Sequence, residues 1–100
     1  INDLVRAHIL SIKLLNKDFI YKIINVGTGR AYSVLEFLNI FQKVNNLKIN
    51  YKFYPRRKGD VEKLLNDIKL SKKILKFKSK KTLAQACASA YNYFKKNNLI

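Results

Sequence analysis

Leu4, His8, Ile12 and Leu15 recur at the spacing of one helix face, and Ala7, Ile9 and Leu14 widen the stripe. This pattern predicts a first helix over residues 4–16 with Asp3 as its N-cap. On that stripe His8 reads as a packed, hydrogen-bonded histidine, and the chain has no second His to form a metal pair. Tyr21 to Val26 is a short, mainly apolar run rich in β-formers that stops at the turn signal Gly27-Thr28-Gly29. A continuous apolar run of this kind suits a strand covered on both faces. Ser33 followed by Glu36 reads as a capping box, opening a helix to about residue 45 with Val34, Leu35, Leu38, Phe41 and Val44 as its inner stripe. Ile49 to Tyr54 alternates as a half-buried strand does, and Pro55, which lacks an N–H, ends it. Asp67 is placed to cap a short helix through Leu75, and Lys76 to Lys81 forms a basic connector anchored by Phe77. Thr82 and Gln85 make a second capping box for a last helix to about Lys96, with Leu83, Cys87, Ala90, Tyr91 and Phe94 turned inward.

Composition narrows the class. One hundred residues make at most one domain, too few for a dinucleotide-binding domain plus a substrate domain. The chain is 48% hydrophobic and 12% aromatic, which excludes disorder as its main state. No apolar run approaches the ~20 residues of a membrane helix. There is no methionine, and Ile1 leads straight into helical pattern, so the sequence reads as one entered midway, the later part of something longer. A single cysteine, Cys87, rules out an internal disulfide and a cysteine zinc site; between Ala86 and Ala88 it reads as buried filler. It fits a reducing compartment, and the cytoplasm is the expected location.

The net charge is +15, from 21 basic and 6 acidic residues. Only Arg6, Arg30, Arg56 and Arg57 are arginines; the rest of the positive charge is lysine, in a chain also rich in Asn and Ile. That reads as compositional bias spread over solvated faces. The competing reading is a small basic RNA-binding module that uses the lysines between Lys69 and Lys81 with aromatic stacking. It is weakened by the irregular alternation of those lysines with Ile74, Leu75 and Phe77.

The segment Tyr54-Pro55-Arg56-Arg57-Lys58-Gly59-Asp60 carries the most chemistry. Arginine makes forked, charge-assisted hydrogen bonds to phosphate oxygens. A carboxylate accepts from sugar hydroxyls and repels a phosphate. Both in one glycine-containing loop fit a ligand with a phosphate end and a sugar end, such as a nucleotide. The same residues also suit a solvated turn with a surface ion pair. Two other patterns are decoys. Gly27-Thr28-Gly29 is not a dinucleotide fingerprint, because Tyr32 stands where the third glycine belongs. Tyr91 and Lys95 have the Tyr-x-x-x-Lys spacing of short-chain dehydrogenases, but Tyr91 falls on the inner stripe of the last helix.

Taken together, these residues resemble the C-terminal third of UDP-glucose 4-epimerases, in the extended short-chain dehydrogenase/reductase superfamily. Asp3-Leu4-Val5-Arg6-Ala7-His8 is similar to that family's Asp-Leu-Ala-x-Ala-His segment. Asn25-Val26-Gly27-Thr28-Gly29 with Ser33-Val34-Leu35-Glu36 is similar to its Asn-x-Gly-Thr-Gly…Ser-Val-x-Glu segment. Pro55-Arg56-Arg57-Lys58-Gly59-Asp60 is similar to its Pro-Arg-Arg-x-Gly-Asp loop, and Asp67…Ser71-Lys72 and Thr82-Leu83 follow in order. The resemblance implies an α/β fold: the C-terminal part of an NAD-binding Rossmann-type epimerase, with about four helices and two or three short strands. It implies that residues 1–100 are the UDP-sugar-binding region, with the N-terminal NAD-binding domain outside them. The implied reaction interconverts UDP-galactose and UDP-glucose. A tyrosine base takes the sugar 4-hydroxyl proton, NAD takes the C4 hydride, and the hydride returns to the other face of the keto sugar. The catalytic and NAD-binding residues would lie upstream of Ile1, so none is assigned in this chain, which alone should be inactive and should expose apolar surface. Of the UDP grip, the resemblance assigns Arg57 to the diphosphate, Asp60 to the ribose hydroxyls and Arg56 to orienting the loop. Family members are usually homodimers, and neither nucleic acid nor membrane is an expected partner. A related nucleotide-sugar epimerase or dehydratase is the nearest alternative. Two departures stand out: Lys58 where Pro or Glu is common, and Lys76-Phe77 where Gly-Trp is common. The lost glycine is expected to distort the end of the preceding helix.

Overall fold

The computed structural model describes residues 1–16 and 21–100. They contain α1 (Asn2–Leu15), α2 (Val34–Asn45), α3 (Lys69–Ile74) and α4 (Leu83–Lys96). No strand forms among the described residues, so the expected α/β architecture with two or three short strands is corrected to four helices joined by irregular segments. A strand exists only through backbone bonds exchanged with a neighbour. Residues 21–26 and 49–54 keep the composition of strands, but neither forms a ladder, and they belong to different compact units.

One unit comprises residues 1–30 and 65–81. Its core is Ala7, Leu75 and Phe77, with Leu10, Leu14, Ile24 and Val26 packed around them. Phe77 is only 2% exposed, as expected of the anchor of the basic connector. The inner face of α1 is therefore Ala7–Leu10–Leu14, not the stripe through Leu4, His8, Ile12 and Leu15. His8 is exposed, and its Nδ1–H donates to the Leu4 carbonyl at 2.8 Å, so it is hydrogen-bonded but not packed. Leu4, Val5, Ile9, Ile12 and Leu15 all lie on the outside. A helix apolar on both sides is ordinarily covered on both, and the exposed apolar surface expected of this chain is present on α1.

Asp3 does not cap α1. The helix begins two residues earlier than expected, at Asn2, and the carboxylate turns to the connector instead, accepting from the backbone N–H groups of Lys80 (3.0 Å) and Lys81 (2.8 Å) and from Arg6 Nη1 (2.7 Å). These bonds, led by that from Lys81, hold the Asp3 carboxyl below its ordinary pKa. Arg6 in turn lies over the Phe77 ring, 5.5 Å from its centroid, and its Nη2 donates to the Lys78 carbonyl at 3.3 Å. The first turns of α1 thus clamp residues 77–81. Asp67 does reach the start of α3, accepting from the Lys69 N–H at 2.9 Å. At the other end of α3 the expected distortion does not occur. Lys76 adopts the left-handed conformation itself (φ 50°), and the Phe77 N–H bonds to the Ser71 carbonyl at 3.1 Å.

The other unit comprises residues 31–64 and 82–100, built on α2 packed against α4. Both capping boxes form. Ser33 N–H donates to Glu36 Oε2 (2.7 Å) and Glu36 N–H to Ser33 Oγ (3.1 Å); Thr82 and Gln85 repeat the exchange at 3.0 and 3.2 Å. Cys87 is buried at the helix contact, and burial pushes its thiol pKa up, as suits filler. Tyr91 meets Phe41 edge to face, with ring centroids 6.2 Å apart, so the Tyr-x-x-x-Lys spacing serves packing. Asn45 Nδ2 bridges the helices, donating to Phe41 O (3.0 Å) and Cys87 O (3.5 Å). The inner stripes are narrower than expected: Val34, Leu35, Val44, Ala90 and Phe94 are exposed. Gln42 then ties the chain leaving α2, its side-chain oxygen accepting from the Ile49 N–H at 2.6 Å.

Candidate functional site

Residues 52–60 leave that tie as an irregular segment and turn back at Arg57-Lys58-Gly59-Asp60. The Asp60 N–H donates to the Arg57 carbonyl at 3.1 Å, closing a β-turn whose third residue, Gly59, has φ 91°. A turn with positive φ at that position demands glycine. Nothing lies within 4 Å of where a Gly59 Cβ would sit, so conformation rather than space selects the residue.

The two ends of the turn, Arg57 and Asp60, border an open cleft of about 720 Å³ lined also by Val34, Lys52, Tyr54, Pro55 and Arg56. The structure therefore brings together all three residues singled out in the loop. Asp60 uses a single oxygen, Oδ2, to accept from the Arg57 N–H (3.2 Å) and Arg57 Nε (3.4 Å). That leaves Oδ1 for a hydroxyl donor and both terminal guanidinium nitrogens of Arg57 for an anion. Arg57 is 88% exposed and Asp60 47%, an open pair rather than a buried one. Arg56 is held by Glu62, Nη2 to Oε1 at 2.8 Å. The cleft can hold an anion beside a sugar hydroxyl, with the exposed side chains of Val34 and Tyr54 as apolar surface.

Val34, Lys52 and Tyr54 were not singled out from sequence as site residues. The alternation Lys52, Tyr54, Arg56 was the available signal, since residues two apart in an extended segment share a face. Val34 had none: only its position in the first turn of α2 brings it to the cleft. The Asp-Leu-x-x-Ala-His segment joins no site. Asp3 and Ala7 are spent on the clamp and the core. Among the described residues no cluster of His, Cys, Asp or Glu is arranged to hold a metal ion. No helix among them is long and apolar enough to cross a membrane.

No protein-family model matches the chain. The UDP-glucose 4-epimerase of Pasteurella multocida is 36% identical over 95 residues, covering 95% of this chain and 28% of that protein. This chain matches a C-terminal part of UDP-glucose 4-epimerases. Solved structures agree. An epimerase of this name from Stenotrophomonas maltophila, with bound NAD and formylated UDP-arabinopyranose, superposes with a TM-score of 0.91 at 26% identity, over 96% of this chain and 29% of that one. The Bifidobacterium longum UDP-glucose 4-epimerase, in complex with NAD+ and UDP, gives 0.84 at 33% identity over 96% of this chain and 28% of its own. The chain thus spans a little over a quarter of the length of these epimerases.

The described residues do not fit a dinucleotide cradle. Gly29 of the Gly-Thr-Gly turn faces the Ile68 side chain at close range, with its backbone folded against α3's approach rather than opening a helix N-terminus.

Proposed function

We propose that this chain provides the UDP grip of an NAD-dependent UDP-glucose 4-epimerase, which interconverts UDP-galactose and UDP-glucose. The observation that carries the reading is the cleft: a chain matching these epimerases over 95% of its length gathers Arg56, Arg57 and Asp60 at one opening. Arg57 binds the diphosphate through its terminal nitrogens. Asp60 accepts from the ribose hydroxyls through Oδ1. Arg56, tethered to Glu62, sets the loop's orientation. NAD, held by residues other than these 100, supplies a reversible hydride acceptor when bound. Residues 1–100 act as the UDP-sugar-binding region, and by themselves turn nothing over. The proposed setting is galactose metabolism in the cytoplasm, in a homodimeric enzyme, with neither membrane nor nucleic acid as partner.

The test is a titration of the ¹⁵N-labelled chain with UDP, alone and as Arg57→Ala, read as amide shifts. Shifts gathered on residues 52–60 and Val34 are expected, with affinity falling about tenfold in the variant, the scale of one charge-assisted hydrogen bond. If UDP moves nothing while an RNA oligomer moves Lys69 to Lys81 with steep salt dependence, the basic-module reading takes its place.

A further inference from the structure

Three cations line the cleft, and they are not equivalent. Arg56 is paired with Glu62 at 2.8 Å and Arg57 with Asp60 at 3.4 Å. Lys52 is exposed and, among the described residues, has neither a carboxylate nor a hydrogen-bond partner. It shares the cleft with Tyr54 and Arg56. The alternate residues Tyr51 and Phe53 meet each other edge to face, with ring centroids 5.5 Å apart. An anion entering the cleft thus meets two guanidiniums already partly neutralised and one ammonium with its full charge available.

We propose that Lys52 is a diphosphate-binding residue of this site, adding a point charge to the forked contact of Arg57 and making the cleft prefer a nucleoside diphosphate to the bare nucleoside. This rests on the nucleotide-sugar reading above and extends it to a residue outside the Arg-Arg-x-Gly-Asp motif. The division of labour follows from chemistry. An ammonium on a flexible four-carbon stem follows a phosphate whose position varies, whereas a guanidinium fixes its plane. Arg57 can keep Nε on Asp60 while its terminal nitrogens meet one phosphate, and Lys52 balances the second negative charge without first giving up a partner.

The experiment compares UDP with uridine, by amide shifts of the full 100-residue chain, in the parent, Lys52→Gln, Lys52→Arg and Arg57→Ala. Lys52→Gln should weaken UDP about fivefold, the scale of an exposed ion pair, and leave uridine unchanged. It should also flatten the salt dependence of UDP binding, and Lys52→Arg should restore most of the affinity. UDP binding unchanged in Lys52→Gln but lost in Arg57→Ala overturns the proposal and leaves the nucleotide-sugar reading standing. Equal losses for UDP and uridine also overturn it, because the lysine would then be shaping the cleft rather than meeting phosphate. A parent chain that binds no UDP overturns both.

Discussion

Replacing Gly29 by alanine tests whether the Gly-Thr-Gly turn is held as described, and the structure divides its cost into two parts. Gly29 has φ 76°, which a residue with a Cβ adopts at a cost of about 1–2 kcal/mol. Its Cβ would also run into Ile68 Cδ1 and sit 3.2 Å from Cγ1. The nearer atom ends a flexible side chain, so it can swing aside by leaving its rotamer, for about 1 kcal/mol. Stiffening of the unfolded chain by alanine offsets roughly 0.4–1 kcal/mol. The net expectation is a destabilisation of about 2 kcal/mol, a large share of the ~5–15 kcal/mol that holds a domain together. Ile68→Val removes Cδ1 and nothing else, and it should cost only about 0.5–1 kcal/mol at this half-buried position. The parent, the two single variants and the double variant, unfolded in urea and followed by helical circular dichroism, separate the parts. Gly29→Ala should cost about 1 kcal/mol less in the Ile68→Val background, as sites in contact couple on this scale. A coupling near zero would mean that the methyl is not in the way. A Gly29→Ala penalty under about 0.5 kcal/mol would mean that the turn is not held left-handed. Both results would refute the packing of this motif against Ile68.

Two further outcomes follow from the same unit. Lys76→Gly should stabilise by about 0.5–1 kcal/mol, since relief of the left-handed lysine exceeds the entropy that glycine adds to the unfolded chain; a lower urea midpoint would refute this. Asp3→Asn should matter most above the acid range: the folded carboxyl lies below its ordinary 3.8, so its stabilisation is full above that value and fades as pH falls through the folded value. The gap in melting temperature between parent and variant should therefore be wide at neutral pH and narrow as pH falls below 3.8, and a gap that stays constant would sink the clamp.

What was legible in the sequence was what the chain decides locally. The capping boxes at Ser33–Glu36 and Thr82–Gln85 need only residues three apart, and both form as read. Phe77, apolar between two lysines, and Cys87, on the apolar face of the last helix between Ala86 and Ala88, are buried as read. Three features were not legible, for related reasons. The strand-like runs at 21–26 and 49–54 form no ladder, because a strand is a property of a pair and the pattern describes one member. The inner face of α1 was misassigned because both sides are apolar, and periodicity cannot say which side Phe77 occupies. Asp3 looked like a cap because it precedes an apolar stripe; that its oxygens face Lys80 and Lys81, far along the chain, is settled only by tertiary folding. At the site, the Arg-Arg-x-Gly-Asp loop was legible because its turn is local. Val34 was not, because its place depends on how α2 meets the loop.

The loop bears on the choice between a solvated turn and a ligand grip, because it contains both. Arg57 and Asp60 do form the surface ion pair that the plainer reading expects. At 88% and 47% exposure such a pair is worth roughly 0–1 kcal/mol, too little to define the loop. The turn is instead defined by the Asp60 N–H to Arg57 carbonyl bond at 3.1 Å and by the positive φ of Gly59, neither of which depends on the side chains. Asp60 holds only Nε, so the terminal nitrogens are open to an anion, and even loss of the pair would cost no more than about 1 kcal/mol, against the roughly 1.5–3 kcal/mol of a hydrogen bond to a charged partner. On the proposed reading, a pair that is weak on its own, mounted on a turn that does not need it, leaves the terminal nitrogens of Arg57 open to a diphosphate. It also leaves Asp60 in place, with an oxygen to spare for the sugar.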